Sequence, residues 1–187
     1  MRKTLPISNF SENVSHAKGI RQESIEPMKL RIGQGYDIHA LKDGKPMILG
    51  GVSFDTPYGL DGYSDADALT HAICDSLLGA AGLDDIGHYF PNTDPQYKDI
   101  DSQELLTEVA TILKQNGFTI ENIDATVVAE KPKIGPRIPE MKRQIAKSAG
   151  ISVEQIGIKA TTNEMLGTIG RGEGVAAFAS CLILTDT

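Results

Sequence analysis

Apolar residues recur along the chain at two periods, and the elements follow from where each period holds. KLRIGQGYDI, residues 29–38, reads as a strand, and MILGGVSF, residues 47–54, as a shorter strand interrupted by Gly50 and Gly51. TPYGLDG has the composition of a loop, and it leads to Ser64, placed to cap a helix from about Asp65 to Ala81. LDDIGHYFPNTDPQYKDID shows no period and carries two prolines, which predicts a long loop. From Ser102 to Asn116, Leu105, Leu106, Val109, Ile112 and Leu113 share one helical face, with Gly117 at the C′ position. NIDATVVAE is the next strand, KPKIGPRIP a proline-rich connector, and a helix from about Pro139 to Ala149 ends at Gly150. IGIKATT and VAAFASCLILT are the last two strands, separated by NEMLGTIGRGEG. The order predicts an α+β domain, one mixed sheet with its helices gathered on one face.

Residues 1–27 stand apart from this pattern. They are polar and aperiodic, and they lack the apolar stretch of a secretory signal. Glu12, Glu23 and Glu26 fit an organellar transit peptide poorly. The segment is expected to be a disordered N-terminal extension, or to precede a true start at Met28, with residues 28–187 forming the domain.

Composition narrows the class. A chain of 187 residues, 40% hydrophobic and 23% charged, suits one globular domain with a sizeable core. No apolar run is long enough to span a bilayer. A net charge of −7 argues against nucleic acid, whose binding rests on neutralising phosphates with Lys and Arg. A small phosphorylated molecule stays open as a partner, provided that metal ions, local cations and backbone N–H groups gather at the site. Cys74 and Cys181 sit in apolar settings and are read as buried reduced thiols of a cytoplasmic protein.

One constellation carries chemistry. Residues i and i+2 of a strand project to the same side, so Asp37 and His39 point together. Asp67, His71 and Asp75 lie four apart on the next helix and share a face. If the strand end meets that face, one carboxylate and two imidazoles converge, a set that suits zinc with its fourth position open. Asp67 or Asp75 would then fix a histidine tautomer from behind. Spacing alone leaves the plainer alternative standing, that of separately satisfied polar residues.

The motifs taken in order do more. RIGQGYDIHAL, GYSDADALTHAICDSLLGA, DIGHYFPNTDP, VVAEKPKIGPRIPEM and IKATTNEMLGTIGRGEG, spread over residues 30–184, resemble the 2-C-methyl-D-erythritol 2,4-cyclodiphosphate synthase family of the non-mevalonate isoprenoid pathway. The resemblance implies a cytoplasmic homotrimer with active sites between subunits. It also implies release of CMP from 4-diphosphocytidyl-2-C-methyl-D-erythritol 2-phosphate as the diphosphate cyclises. In that frame Asp37, His39 and His71 hold zinc, while Glu164 and the substrate phosphates hold a second divalent cation, Mg²⁺ or Mn²⁺. Ala129, Glu130, Lys131, Pro132, Lys133, Ile134 and Gly135 would embrace the cytidine and its phosphates. Thr161, Thr162, Asn163 and Glu164 would meet the reacting phosphates, with Thr162 a transition-state contact. Asp85, Ile86, Gly87, Phe90, Pro91, Asn92, Thr93 and Asp94 match the loops that hold the methylerythritol phosphate. Ser64 is a phosphate donor as well as a cap. Thr168, Arg171 and Glu173 match positions facing the threefold axis, where Arg171 and Glu173 pair between subunits and a diphosphate could bind.

The same segments also have ordinary explanations. KPKIG by itself is a surface connector held by Pro132 and Pro136, FPNTD an Asn/Asp/Pro turn, and Thr-Thr at a strand end good β-former usage. The chain also departs from the family. Tyr63 stands where histidine is usual beside the reacting phosphates, Gln34 where histidine is common, and Thr168 where an aromatic is frequent. A phenol can donate one hydrogen bond but is uncharged near neutral pH. Two alternatives are therefore carried forward: a catalytically impaired cytidine-nucleotide-binding homologue, and a zinc-dependent phosphohydrolase of another nucleotide diphosphate.

Overall fold

The computed structural model describes residues 29–185. The expectation for residues 1–27 lies outside the described residues. The structure holds seven strands and five α-helices among them, beginning with a hairpin-rich N-terminal part. In chain order these are β1 Leu30–Asp43, β2 Met47–Leu49, β3 Val52–Phe54, β4 Tyr58–Asp61, α1 Ala68–Ala81, α2 Ile86–Tyr89 and α3 Ser102–Gln115. β5 Phe118–Val128, α4 Ile138–Ala149, β6 Ile156–Thr161, α5 Gly167–Gly170 and β7 Gly174–Thr185 complete them.

The main sheet runs β4-β1-β7-β5-β6, antiparallel except for the β5–β6 pair, and β2-β3 form a separate ribbon. MILGGVSF is thus a hairpin and not one strand. Gly50 and Gly51 both take positive φ, 57° and 71°, which lets the chain reverse there. TPYGLDG, expected as a loop, supplies edge strand β4 instead. The aperiodic 83–101 segment contains the single-turn α2 and a 3₁₀ turn at Pro95–Tyr97.

α1, α3 and α4 cover one face of the main sheet. Leu69, Ile73, Leu77 and Leu78 of α1 meet Leu106 and Leu113 of α3, Met141 and Ile145 of α4, and Ile123 and Val127 of β5 in one buried core. α3 buries Leu105, Leu106, Val109 and Leu113 of the stripe expected from its period, while Ile112 is half-buried at its edge. The opposite sheet face is open and apolar: Leu30 is 64% exposed, Ile32 76%, and Tyr36 packs at a tilt against exposed Phe178 with ring centroids 4.9 Å apart.

One close approach sets the geometry of everything that follows. Gly33 and Gly35 face α1, and a Cβ on Gly33 would lie 1.9 Å from the Ser76 carbonyl oxygen. A Cβ on Gly35 would lie 2.0 Å from that of Ala72. The helix backbone therefore rests directly on the strand. One helical turn advances about 5.4 Å and two strand residues about 6.8 Å, so the two elements keep step over a short run. The next inward positions of the strand are Asp37 and His39. The helix brings His71 over them.

Candidate metal centre and substrate pocket

Asp37, His39 and His71 converge as their spacing predicts. Asp37 Oδ2 lies 2.9 Å from His39 Nε2 and 3.0 Å from His71 Nδ1, and the two ring nitrogens are 3.3 Å apart. A tetrahedral zinc with bonds of about 2.0–2.1 Å keeps its ligand atoms roughly 3.3 Å apart, so these separations suit one small divalent ion. The trio is the group of potential metal ligands among the described residues whose donor atoms all fall within 4.8 Å of one another. Burial alone would raise the Asp37 carboxyl. The hydrogen bonds and positive potential of the two imidazoles outweigh it and hold Asp37 well below the usual carboxylate range. His39 is the mirror case: burial opposes its charge, but bonding to Asp37 wins and raises the imidazole.

Both rings are oriented from behind, though not by the residues expected. His39 Nδ1 donates to the Asp61 backbone carbonyl at 2.9 Å, and since a carbonyl only accepts, Nε2 is the nitrogen of this ring that bonds to Asp37 when protonated and would offer its lone pair to a metal. His71 Nε2 lies 2.9 Å from Ser102 Oγ and 3.2 Å from Ser64 Oγ. Asp67 and Asp75 do not serve these rings. Asp67 is fully buried and caps α1, accepting from Thr70 N and Oγ1 and from the Gly50 and Gly51 amides at 2.7–3.1 Å. Asp75 accepts from the Ile86 amide at 2.9 Å. Ser64 is accordingly not the helix cap: its hydroxyl accepts from Ala66 N and reaches His71. Sequence reasoning missed Asp61 and Ser102, because a backbone carbonyl leaves no side-chain signature and Ser102 looked like an ordinary helix start.

The trio opens into a cavity of about 260 Å³, whose walls include Tyr63, Ser64, Ile86, Gly87, Phe90 and Asn92. Tyr63 Oη donates to the Asp94 carbonyl at 3.1 Å, tying the loop before α1 to the loop after α2. The Asp85 side chain caps α2 by accepting from His88 N, and Asp94 accepts from the Gln96 amide and side chain. Of the FPNTD turn, Phe90 and Asn92 line the cavity, whereas Pro91, Thr93 and Asp94 do not.

The other expected site residues form a second hollow of about 300 Å³, between the 129–138 connector and the end of β6. Ala129, Glu130, Pro132, Lys133, Ile134, Gly135, Thr161 and Thr162 line it, and none of them lines the first. Glu130 Oε1 accepts from the Asn163 and Met165 amides at 3.0 and 3.1 Å, bracing the turn that carries Glu164. Thr162 Oγ1 donates to Glu164 Oε1 at 2.9 Å. Glu164 and Met165 both take positive φ, 51° and 61°, which presents the exposed carboxylate on a strained turn. Lys131 and Arg171 line a third hollow with Met165, of about 500 Å³. Arg171 pairs with Glu173 within one chain, Nε to Oε1 at 2.6 Å and Nη2 to Oε2 at 3.2 Å. The neighbouring Thr168 carbonyl accepts from the Glu173 amide.

Comparison with known proteins adds a family to this geometry. Residues 30–184 match the YgbB family. A protein of Synechococcus elongatus named 2-C-methyl-D-erythritol 2,4-cyclodiphosphate synthase is 55% identical over 158 residues, 84% of this chain and 99% of its own length. One of the same name from Desulfatibacillum aliphaticivorans is 56% identical over 148 residues, 79% of this chain and 96% of its own. Among solved structures, the bifunctional IspDF of Campylobacter jejuni superposes with a TM-score of 0.82 at 38% identity, covering 85% of this chain and 43% of that one. IspF of Plasmodium falciparum, solved as a CDP complex, gives 0.75 at 34% identity over 84% of this chain and 97% of that one.

Proposed function

The chain belongs to the YgbB family of 2-C-methyl-D-erythritol 2,4-cyclodiphosphate synthases, lyases acting on phosphorus–oxygen bonds, and from that premise we propose its reaction and the residues that perform it. The substrate is 4-diphosphocytidyl-2-C-methyl-D-erythritol 2-phosphate. An oxygen of its 2-phosphate bonds to the β-phosphorus. The bond from that phosphorus to the bridging oxygen breaks, and the electron pair leaves with CMP. The nucleophile is an ionised phosphate that the substrate brings itself, so no serine, cysteine or general base is needed for attack. What remains for the protein is positioning and charge neutralisation.

The observation that carries this reading is the convergence of Asp37 Oδ2, His39 Nε2 and His71 Nδ1 at the floor of a cavity. This donor set suits a divalent metal, and zinc is the ion proposed. Glu164 offers one carboxylate, which suits Mg²⁺ or Mn²⁺ completed by substrate phosphates. When bound, these cations would polarise the β-phosphate and help neutralise the diphosphate in a chain of net charge −7. Ser64 and Tyr63 offer hydroxyls at the cavity mouth, and Ile86, Gly87, Phe90 and Asn92 shape the wall for the methylerythritol end. Lys133, Thr161 and Thr162 receive the cytidine and its α-phosphate in the second hollow.

The two hollows share no wall in one chain, so the complete site is proposed to form between subunits of a homotrimer. The open apolar face around Ile32, Tyr36 and Phe178 supports that assembly, since such a surface is costly to leave in water. Thr168 and Arg171 would then approach the axis. No helix among the described residues is long and apolar enough to cross a membrane, and Cys74 and Cys181 are free and buried. The proposed setting is the cytoplasm.

Phosphorus NMR of the protein with this substrate, zinc and Mg²⁺ tests the proposal. A cyclic diphosphate with stoichiometric CMP is expected. CMP with only linear phosphates would indicate a hydrolase instead. Bound substrate without turnover, restored by Tyr63→His, would indicate an impaired homologue. The Tyr63 hydrogen bond to Asp94 bears on that last reading, because it shows the phenol holding the cavity rim. Tyr63→Phe removes an exposed bond worth about 1 kcal/mol and is expected to raise KM up to about fivefold with kcat changing less. A large fall in kcat at unchanged KM would instead place the hydroxyl on the reacting phosphates.

A further inference from the structure

We infer that Ser102, backed by Asp65, is a positioning residue that locks His71 in the Nε2–H tautomer and so presents a bare Nδ1 to the metal. The inference rests on the metal reading of the Asp37–His39–His71 trio. It concerns a residue outside every motif that suggested that reading, 31 positions from the ring it touches.

Hydrogen-bond direction sets the tautomer. Ser102 is fully buried at the first position of α3, and its hydroxyl lies between two partners, Asp65 Oδ1 and His71 Nε2. A hydroxyl has one proton to give. Asp65 is set up to receive it. Its Oδ2 already accepts from the Ser102 amide at 3.0 Å, and its Oδ1 from the Asp67 amide at 3.2 Å, so both oxygens face N–H donors. The Ser102 proton therefore goes to Asp65, leaving only oxygen lone pairs toward His71. Nε2, at 2.9 Å from that oxygen, must supply the proton of the bond. A neutral imidazole carries one N–H, so with that proton on Nε2 the Nδ1 lone pair is the one left for a metal beside Asp37, whose carboxylate is 3.0 Å away; without the ion, a second proton on Nδ1 bridges to that carboxylate.

The scaffold holds this chain in place before any ion arrives. The Asp65 amide donates to the Ile100 carbonyl at 3.1 Å, and Asp101 caps α3 by accepting from the Gln103 amide at 2.8 Å. The start of α3 is thereby tied to the segment preceding α1. Ser64 Oγ also approaches His71 Nε2, but at 3.2 Å against 2.9 Å for Ser102 it is the longer of the two contacts. With the Asp61 carbonyl performing the same task on His39, each imidazole is left with one nitrogen, on the Asp37 side, to offer a metal. Partners of this kind typically govern 10–100-fold in metal affinity.

The test uses zinc alone, titrated against a competing chelator, with imidazole ¹⁵N NMR of the zinc-free protein. In the wild type, Nε2 of His71 is expected to carry a proton bonded to Ser102. Ser102→Ala is expected to weaken zinc by about 10–100-fold and to release the tautomer into a mixture. Ser102→Thr, which keeps the hydroxyl, is expected to stay within about threefold of wild type by the same reasoning. Ser102→Ala binding zinc like wild type would overturn the inference, as would a wild-type His71 whose Nε2 carries no proton, the result if the chain of bonds ran the other way. If Ser102→Ala does not fold, the wild-type tautomer and Ser102→Thr still decide. A wild type that binds no zinc yet shows the Nε2 proton would refute the metal reading and leave the role of Ser102 as purely structural.

Discussion

His71→Ala is expected to abolish zinc retention and to lower the rate of CMP release by on the order of 10³ or more, the equivalent of several kcal/mol of Lewis-acid stabilisation. The reason lies in the count of ligands. Asp37, His39 and His71 would give the proposed ion three donors, and removing one leaves a carboxylate and a single imidazole in a half-buried cavity. Two donors hold a divalent ion far less well than three, and without it the charges on a triply phosphorylated substrate go unopposed. His39→Ala should behave alike, because ligands of one ion act as a unit and their losses do not add. Metal analysis of the purified variants, initial rates of CMP release and far-UV circular dichroism check the three parts of this expectation. A variant that keeps its fold and its rate while losing zinc would remove the metal from the mechanism.

Gly35→Ala is expected to cost about 3 kcal/mol or more of stability, although it adds one methyl group. The added Cβ would lie 2.0 Å from the Ala72 carbonyl oxygen and 2.8 Å from the Ser76 amide nitrogen. Both are helix backbone, so no side chain can rotate away. α1 must lift from β1, and this strains the core that Leu69, Ile73 and Leu77 fill. The same displacement carries His71 away from Asp37, so zinc affinity should fall in whatever fraction still folds. Gly44→Ala is the natural comparison. Gly44 has φ near 75° but nothing within 4 Å of the added carbon, so only the backbone penalty of about 1 kcal/mol applies. Urea denaturation of the two variants separates overpacking from conformation. Equal losses would mean that the close approach of α1 to β1 is not what restricts position 35.

Parts of this structure were legible in the order of residues because their causes are local. The period of Leu105, Leu106, Val109 and Leu113 specifies one face of α3, and the helix forms with that face buried. Gly117 and Gly150 mark helix ends because each takes the positive φ that other residues avoid. Asp37 and His39 point together for no reason beyond the two-residue repeat of a strand. The family is legible too, since its motifs are runs of contiguous residues.

Other parts could not be read, and for a common reason. TPYGLDG has a turn's composition, yet Tyr58–Asp61 pairs with Ala40–Asp43 at the sheet edge, where a partner strand and not local propensity decides. In SDAD, either Ser64 or Asp67 could cap a helix. The Gly50 and Gly51 amides, brought alongside by the β2–β3 hairpin, make Asp67 the cap and release Ser64 toward His71. The partners of the two rings lie 22 and 31 residues from the histidines they orient, with no periodicity to link them. The chain by itself therefore determined the fold class, the family and the placing of Asp37 and His39 on one side of a strand, all legible in contiguous stretches. Only the packing of α1 onto Gly33 and Gly35, and of α3 against the start of α1, decided which nitrogen each imidazole turns inward, because a hydrogen bond has direction and direction exists only once distant segments meet.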